Sequence, residues 1–275
     1  MSSPAESRLT EAKDGTVHRV VKVLTAIVDR REPISISELA ESVELSTSTT
    51  HRLVNLLRTE GLVDIDPRTR RYMVGAELYR LSASVLTQMN ATEVSQPILT
   101  DVAEQLSETV LLGLYLRASN SMTFIARADG PQALQYRIEL NRPMPLAWGA
   151  SGKVLLAFLP DDAVNAAIEN AGLSPASGAV LPDRRTVLAD LATIRANGYA
   201  VSENEKLPGA AGVAVPVFGR TDDAVLCLCL TRPKERARED ELAETVQYLA
   251  AAAAKLSRLL GGGRKVVIPT REGLA

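Results

Sequence analysis

The chain has 275 residues, 46% of them hydrophobic, enough apolar surface for about two packed domains. A net charge of -2 excludes a uniformly basic nucleic-acid coat, but not a local basic face. No apolar run approaches the roughly 20 residues that cross a bilayer, and the two cysteines, Cys227 and Cys229, are too close together to staple a fold, so a cytoplasmic protein is expected.

Residues 1–14 are polar, without an apolar signal core, and are expected to form a disordered leader. Val17, Val20, Val21, Leu24, Ile27 and Val28 then recur at helical spacing, with Thr16 in the cap position. Ser35 and Glu38 have the spacing of a capping box before a short second helix. A third helix follows Ser46 and should stop at Gly61, with Leu53, Val54 and Leu57 inward. Ser48, His51, Arg52 and Asn55 fall on its opposite face. "LVDIDPRTRRYMV" reads as a hairpin turning at Asp66 and Pro67. Three short helices and a hairpin within residues 15–75 are the pattern of a winged helix-turn-helix.

Residues 76–90 read as a connecting helix whose stripe of Leu78, Leu81 and Val85 has no partner within the first domain. A helix over 92–108 opens a second domain, residues 91–260. The period then changes to two: 109–119, 121–130 and 134–140 read as strands, and so do the later "GYAVSE", "GVAVPVFG" and "AVLCLCLTR". Helices are expected at "GASGKVLLAFL", 161–170, 184–197 and 238–260, and residues 261–275 as a mobile tail. The fold class is therefore α+β: a winged helix-turn-helix, a connecting helix, and a domain with an antiparallel sheet flanked by helices.

"GASGKVLL" looks at first like a phosphate loop. Such a loop needs Gly-x4-Gly-Lys followed by Ser or Thr. Ala147 stands at the first glycine position and Val154 follows Lys153, so no hydroxyl is available for magnesium. Two readings remain for Ala150, Ser151 and Gly152. Their first-turn N–H groups suit a carboxylate, or their small side chains let the helix pack close to a sheet.

The order and spacing of "ISISELAESVELSTSTTHRLVNLLRTEGLV", "RRYMVG", "ASGKVLLAFLP", "GYAVSENEKLPG" and "TRP" resemble the IclR family of bacterial transcriptional regulators, from about Gly15 to Leu260. The resemblance implies a winged-helix DNA reader joined to a GAF-like effector domain. It also implies homodimers built through the DNA-binding domains, often paired into a dimer of dimers. Three positions depart from the family pattern. Ala147 stands where a histidine is common, Gly212 where a cysteine is common, and Ser202 where an acid opens the run after "GY".

The expected double-stranded operator DNA contacts are Ser48, His51, Arg52 and Asn55 on the recognition helix, Thr47 at its start, and Arg68, Arg70 and Arg71 on the wing. Ordinary solvated residues on a small helical domain are the alternative. For the effector, the resemblance implies Tyr136, Met144, Ala150, Ser151, Cys229 and Thr231, with Ser202 and Gly212. Alternation along "VLCLCLT" adds that Val225, Cys227, Cys229 and Thr231 share one strand face, with Leu226, Leu228 and Leu230 on the other, against helices. Cys227 and Cys229 could equally be plain core residues. Trp148 could stack on a ligand or fill core volume. The effector is expected to be a small organic acid, with Tyr136, Met144 and Trp148 favouring an aromatic one.

Both histidines, His18 and His51, lie in the DNA-reading domain, so the second domain lacks the commonest general base and metal ligand. No catalytic residue, metal or cofactor is expected. The alternatives are an enzyme, or a small-molecule sensor whose GAF-like domain acts without DNA.

Overall fold

A computed structural model describes residues 15–30, 32–88, 91–136, 138–219, 224–262 and 266–267, and of 83–88 the backbone alone. The expected leader lies outside the described residues. The chain divides into two compact units, residues 1–89 and 90–275.

The first unit holds α1 (Thr16–Val28), α2 (Ile36–Ser42), α3 (Thr47–Thr59), the hairpin β1 (Val63–Ile65) and β2 (Tyr72–Val74), and α4 (Ala76–Gln88). Gly15, not Thr16, occupies the N-cap of α1, and no side chain caps that end. The inward stripe of α1 is also narrower than the valine pattern suggests. Val23 and Ile27 are buried, whereas Val17, Val21 and Val28 face outward. The α2 capping box forms as expected: Ser35 Oγ accepts from the Glu38 N–H and the Glu38 carboxylate accepts from the Ser35 N–H. The Ser35 N–H and the Ser35 hydroxyl, both donating to the carboxylate, hold the Glu38 carboxyl below its ordinary range, with Arg71 assisting. Ser46 caps α3 by accepting from the Thr49 N–H. Leu53, Val54 and Leu57 join Val23, Ile27, Leu39, Val63 and Tyr72 in one core. Ile34 adds a bridge to Tyr72 beside the hairpin.

The second unit opens with α5 (Ala91–Leu106), followed by β3 (Thr109–Leu116), β4 (Ser121–Ala128), α6 (Gly149–Leu156), α7 (Asp161–Glu169), α8 (Arg184–Asn197), β5 (Ala200–Glu203), β6 (Ala210–Val217), β7 (Leu226–Pro233) and α9 (Glu239–Leu259). The five strands form one antiparallel sheet in the order β4-β3-β7-β6-β5. Alternation divides its faces. Val110, Leu112, Val213, Val215, Leu226, Leu228 and Leu230 pack with α5 and α9, while Leu111, Phe124, Ala214, Cys227 and Cys229 pack with α6, α7 and α8. The leucine face of β7 therefore lies where its alternation placed it.

Two further expectations need correction. The described residues of 134–140 form no strand. Along the outer edge of β4, pairing among the described residues consists of the Met122–Met144 bridge and the Asn141 N–H donating to the Phe124 carbonyl. The segment instead drops Ile138 into the core on the α6 side of the sheet, with Tyr136 packed beside it, while Leu134 and Leu140 stay exposed. In the expected mobile tail, Val266 is buried in the α5/α9 core and Val267 lies against Gly198. Apolar side chains with a core to enter hold these points of the tail down.

Candidate nucleic-acid interface and effector cavity

The apolar stripe of α3 is sunk in the core, which leaves Thr47, Ser48, His51, Arg52 and Asn55 exposed together. His51 Nδ1 and Asn55 Nδ2 lie 3.2 Å apart, one helical turn along the face. Arg52 makes no hydrogen bond or ion pair among the described residues. Leu56, 53% exposed beside these polar groups, is a feature the polar pattern hid.

The wing loop is organised by Asp66. Its carboxylate accepts from the Arg68 N–H at 2.9 Å and the Thr69 hydroxyl at 2.8 Å, and both bonds depress its pKa. The Arg70 N–H closes the turn onto the Asp66 carbonyl, with Arg70 at φ +58°. Arg68 and Arg70 point to solvent. Arg71 does not join them: its Nη1 donates to the Glu38 carboxylate at 3.3 Å, tying the wing to the start of α2.

In the second unit, strand register collects residues that are far apart in the chain. Ser202 on β5 pairs with Gly212 on β6, and Gly212 pairs with Thr231 on β7. These three, with Cys229, Ala150, Ser151, Met144, Phe124, Ile138, Glu205, Lys206 and Leu207, line a cavity of about 50 Å³. Seven expected effector residues thus converge: Met144, Ala150, Ser151, Ser202, Gly212, Cys229 and Thr231. Tyr136 and Trp148 do not. The Tyr136 hydroxyl donates to the Pro208 carbonyl at 2.9 Å, outside the lining. Trp148 is buried in a separate small cluster with Ala147 and Ala171, its indole N–H donating to the Ala171 carbonyl. It fills core volume, the alternative its position had left open.

The start of α6 also differs from expectation. The Gly149 N–H donates to the Glu205 carboxylate at 2.8 Å and the Ala150 N–H to Ser202 Oγ at 2.7 Å. The first two amides of the helix are therefore satisfied by the protein's own side chains. Lys153 reaches back to the same carboxylate, with Nζ 2.6 Å from Glu205 Oε1. Its role is to fix Glu205. Both small-residue readings have a share here. Gly149 sits at φ +79°, and a Cβ at Gly152 would collide with the Leu146 carbonyl, so close packing explains Gly152. Ala150 and Ser151 do face the cavity.

Lys206 was missed altogether. Its stem lies across Gly149, and its Nζ lies 3.2 Å from Met122 Sδ and donates to Ser151 Oγ at 3.4 Å. Burial pulls its pKa down to about 8, against the opposing pull of Cys229, Cys227 and Glu205. Burial raises both thiols, Cys229 to about 11, so both stay protonated. In sequence Lys206 is one charge in the run "ENEKLPG", and nothing local distinguishes it from a solvated side chain. Among the described residues, no group of three His, Cys, Asp or Glu side chains is placed to hold a metal ion, and no helix is long and apolar enough to cross a membrane.

A helix that presents polar side chains from one unit, and a lined cavity in the other, define a regulator with a helix-turn-helix reader and a separate effector domain. Comparison with known proteins gives the family. Residues 16–67 match the IclR helix-turn-helix domain and residues 83–258 the C-terminal domain of the bacterial transcriptional regulator IclR. The Escherichia coli HTH-type transcriptional regulator XynR is 27% identical over 246 residues, covering 90% of this chain and 97% of that protein. The crystal structure of an IclR-type regulator from Silicibacter sp. superposes with a TM-score of 0.83 at 25% identity, over 93% of this chain and all of that one. An IclR homologue from Microbacterium hydrocarbonoxydans, solved in complex with 4-hydroxybenzoate, shares the fold with a TM-score of 0.73 at 21% identity, over 90% of this chain and 99% of that one. The chain belongs to the IclR family: it is a DNA-binding transcriptional regulator with an effector domain.

Proposed function

We propose that the protein binds double-stranded operator DNA through α3 and its wing, and that a small organic acid held in the α6/β6/β7 cavity alters that binding or a contact with polymerase. The observation that carries the proposal is the convergence of Ser151, Ser202, Gly212, Cys229 and Thr231, from four elements, on one cavity in a chain that also exposes Arg52 and Asn55 on a helix-turn-helix. Arg52 and Asn55 suit guanine and adenine edges in the major groove, and Leu56 suits a thymine methyl group. Ser48 and His51 lie on the same face, Thr47 is at the phosphate-facing start of α3, and Arg68 and Arg70 reach for the backbone or minor groove. Arg71 is held by Glu38 and contributes by setting the angle of the wing.

The protein acts as a homodimer, and as a dimer of dimers where effector domains pair, in the cytoplasm. Leu81 and Tyr79 on α4, with Val17 and Val21 on α1, are exposed apolar side chains that a second copy would cover. Leu78 is half-buried, and the Val85 side chain lies outside the described residues. The test is an operator titration with DNA from upstream of the protein's own gene, with and without a panel of small organic acids. A panel that leaves operator affinity and transcription unchanged, in a protein that does bind one of the acids, would refute the effector role.

A further inference from the structure

The cavity holds a charge the protein does not balance. Two ionisable side chains other than thiols line it, Glu205 and Lys206. Glu205 is fully engaged, with one carboxylate oxygen on the Gly149 N–H and the other on Lys153. Lys206 has no carboxylate within salt-bridge distance among the described residues. Its amine meets a thioether and a hydroxyl, with the Cys227 and Cys229 thiols as the titratable neighbours on β7 and Glu205 beside it on its own loop. A protonated amine so enclosed is costly unless an anion joins it. At the start of α6 the first two amides are already taken by Glu205 and Ser202, so they do not compete with Lys206 for the anion.

Size limits the anion. The cavity of about 50 Å³ is about a third of the roughly 150 Å³ that admits a benzene ring, on a measure by which one water needs about 10–15 Å³. Phe124, Ile138, Met144 and Leu207 close its apolar side.

We infer that Lys206 is the specificity-determining residue of this cavity, selecting a small carboxylate of two or three carbons whose charge pairs with Nζ while Ser151 Oγ and Thr231 Oγ1 offer hydrogen bonds. This rests on the effector reading above and sharpens it, giving the anion a named partner that the resemblance did not supply. An aromatic acid requires the cavity to open first.

The test uses the full chain and two probe acids, acetate and pyruvate, with acetamide as the neutral analogue of acetate, followed by calorimetry. At least one acid should saturate the wild type, and acetamide should not. Lys206→Met and Lys206→Gln should each weaken that acid at least tenfold, while operator binding without ligand stays within about twofold, which shows a folded protein. Wild-type affinity should fall about tenfold per pH unit above pH 8, because the amine must be protonated to pair, and the variants should not show that slope. Failure of both acids to bind the wild type, equal binding of acetamide, or affinities in both variants within threefold of the wild type would each overturn the assignment. The two readings fail separately. A neutral ligand that shifts operator affinity removes Lys206 and keeps the regulator reading. Acids that bind through Lys206 without changing operator affinity do the reverse.

Discussion

Replacing Lys206 by methionine should stabilise the ligand-free protein near neutral pH, and the gain should disappear in alkali. In the unfolded chain this amine titrates near the ordinary 10.5; in the fold it titrates at about 8. Below pH 8 both states carry the proton, and the full cost of enclosing the charge is present. Between pH 8 and 10.5 the folded state has released its proton while the unfolded state keeps it, so the wild type gains stability as pH rises. Above 10.5 both are neutral and the cost is gone. At about 1.4 kcal/mol per pH unit, the displacement amounts to roughly 3 kcal/mol at pH 7. Methionine has a similar length and no charge, and can lie across Gly149 as the lysine stem does, with its end against Met122. For a unit of this size the change corresponds to a rise in the effector-domain melting temperature on the order of 5–10 °C. Scanning calorimetry of both proteins at pH 7, 9 and 10.5, without ligand, measures it. The two curves should converge at the highest pH. A gap that stays constant across that range, or a wild type that is the more stable at pH 7, would show that the amine is not held at a cost, and the case for an uncompensated charge would fall with it.

Arg52→Ala should weaken operator binding by about 1–3 kcal/mol if the guanidinium reads a base; a gel-shift titration that finds unchanged affinity and unchanged base preference would remove Arg52 from the interface. Ser151→Leu should abolish the effector response while operator binding persists, because its bulk enters a cavity of about 50 Å³, and a retained response would place the effector elsewhere. Lys153→Ala should leave effector affinity within a few-fold and lower stability by about 1 kcal/mol, the worth of a partly buried hydrogen-bonded ion pair; loss of a bound nucleotide in that variant would revive the phosphate-loop reading. Leu81→Glu should weaken self-association at micromolar concentration, and sedimentation showing an unchanged dimer would exclude this face of α4 from the interface.

What the sequence determined by itself was local. Spacing alone indicates the Ser35/Glu38 box, the Ser46 cap, the buried stripe of α3 with its polar opposite face, and the two faces of β7, because each depends on contacts within a few residues or on the period of one element. The family resemblance rested on the same kind of local order, and seven of the eight effector positions it implied line the cavity. Tertiary structure decided what depends on packing between distant segments. Residues 134–140 alternate as a strand does, yet of their apolar face only Ile138 is buried in the second core, and Leu134 and Leu140 stay exposed. Trp148 precedes the cavity helix in sequence, but its ring turns to the Ala171 carbonyl. The amides of Gly149 and Ala150 looked free until the β5 side of the fold brought up Glu205 and Ser202, more than fifty residues away. Lys206 is ordinary in sequence. Its charge gains significance only because the loop after β5 lays it across Gly149 into a half-buried place beside Met122 and Ser151. An ionic environment is set by whatever surrounds the group in space, and a linear pattern does not record those surroundings.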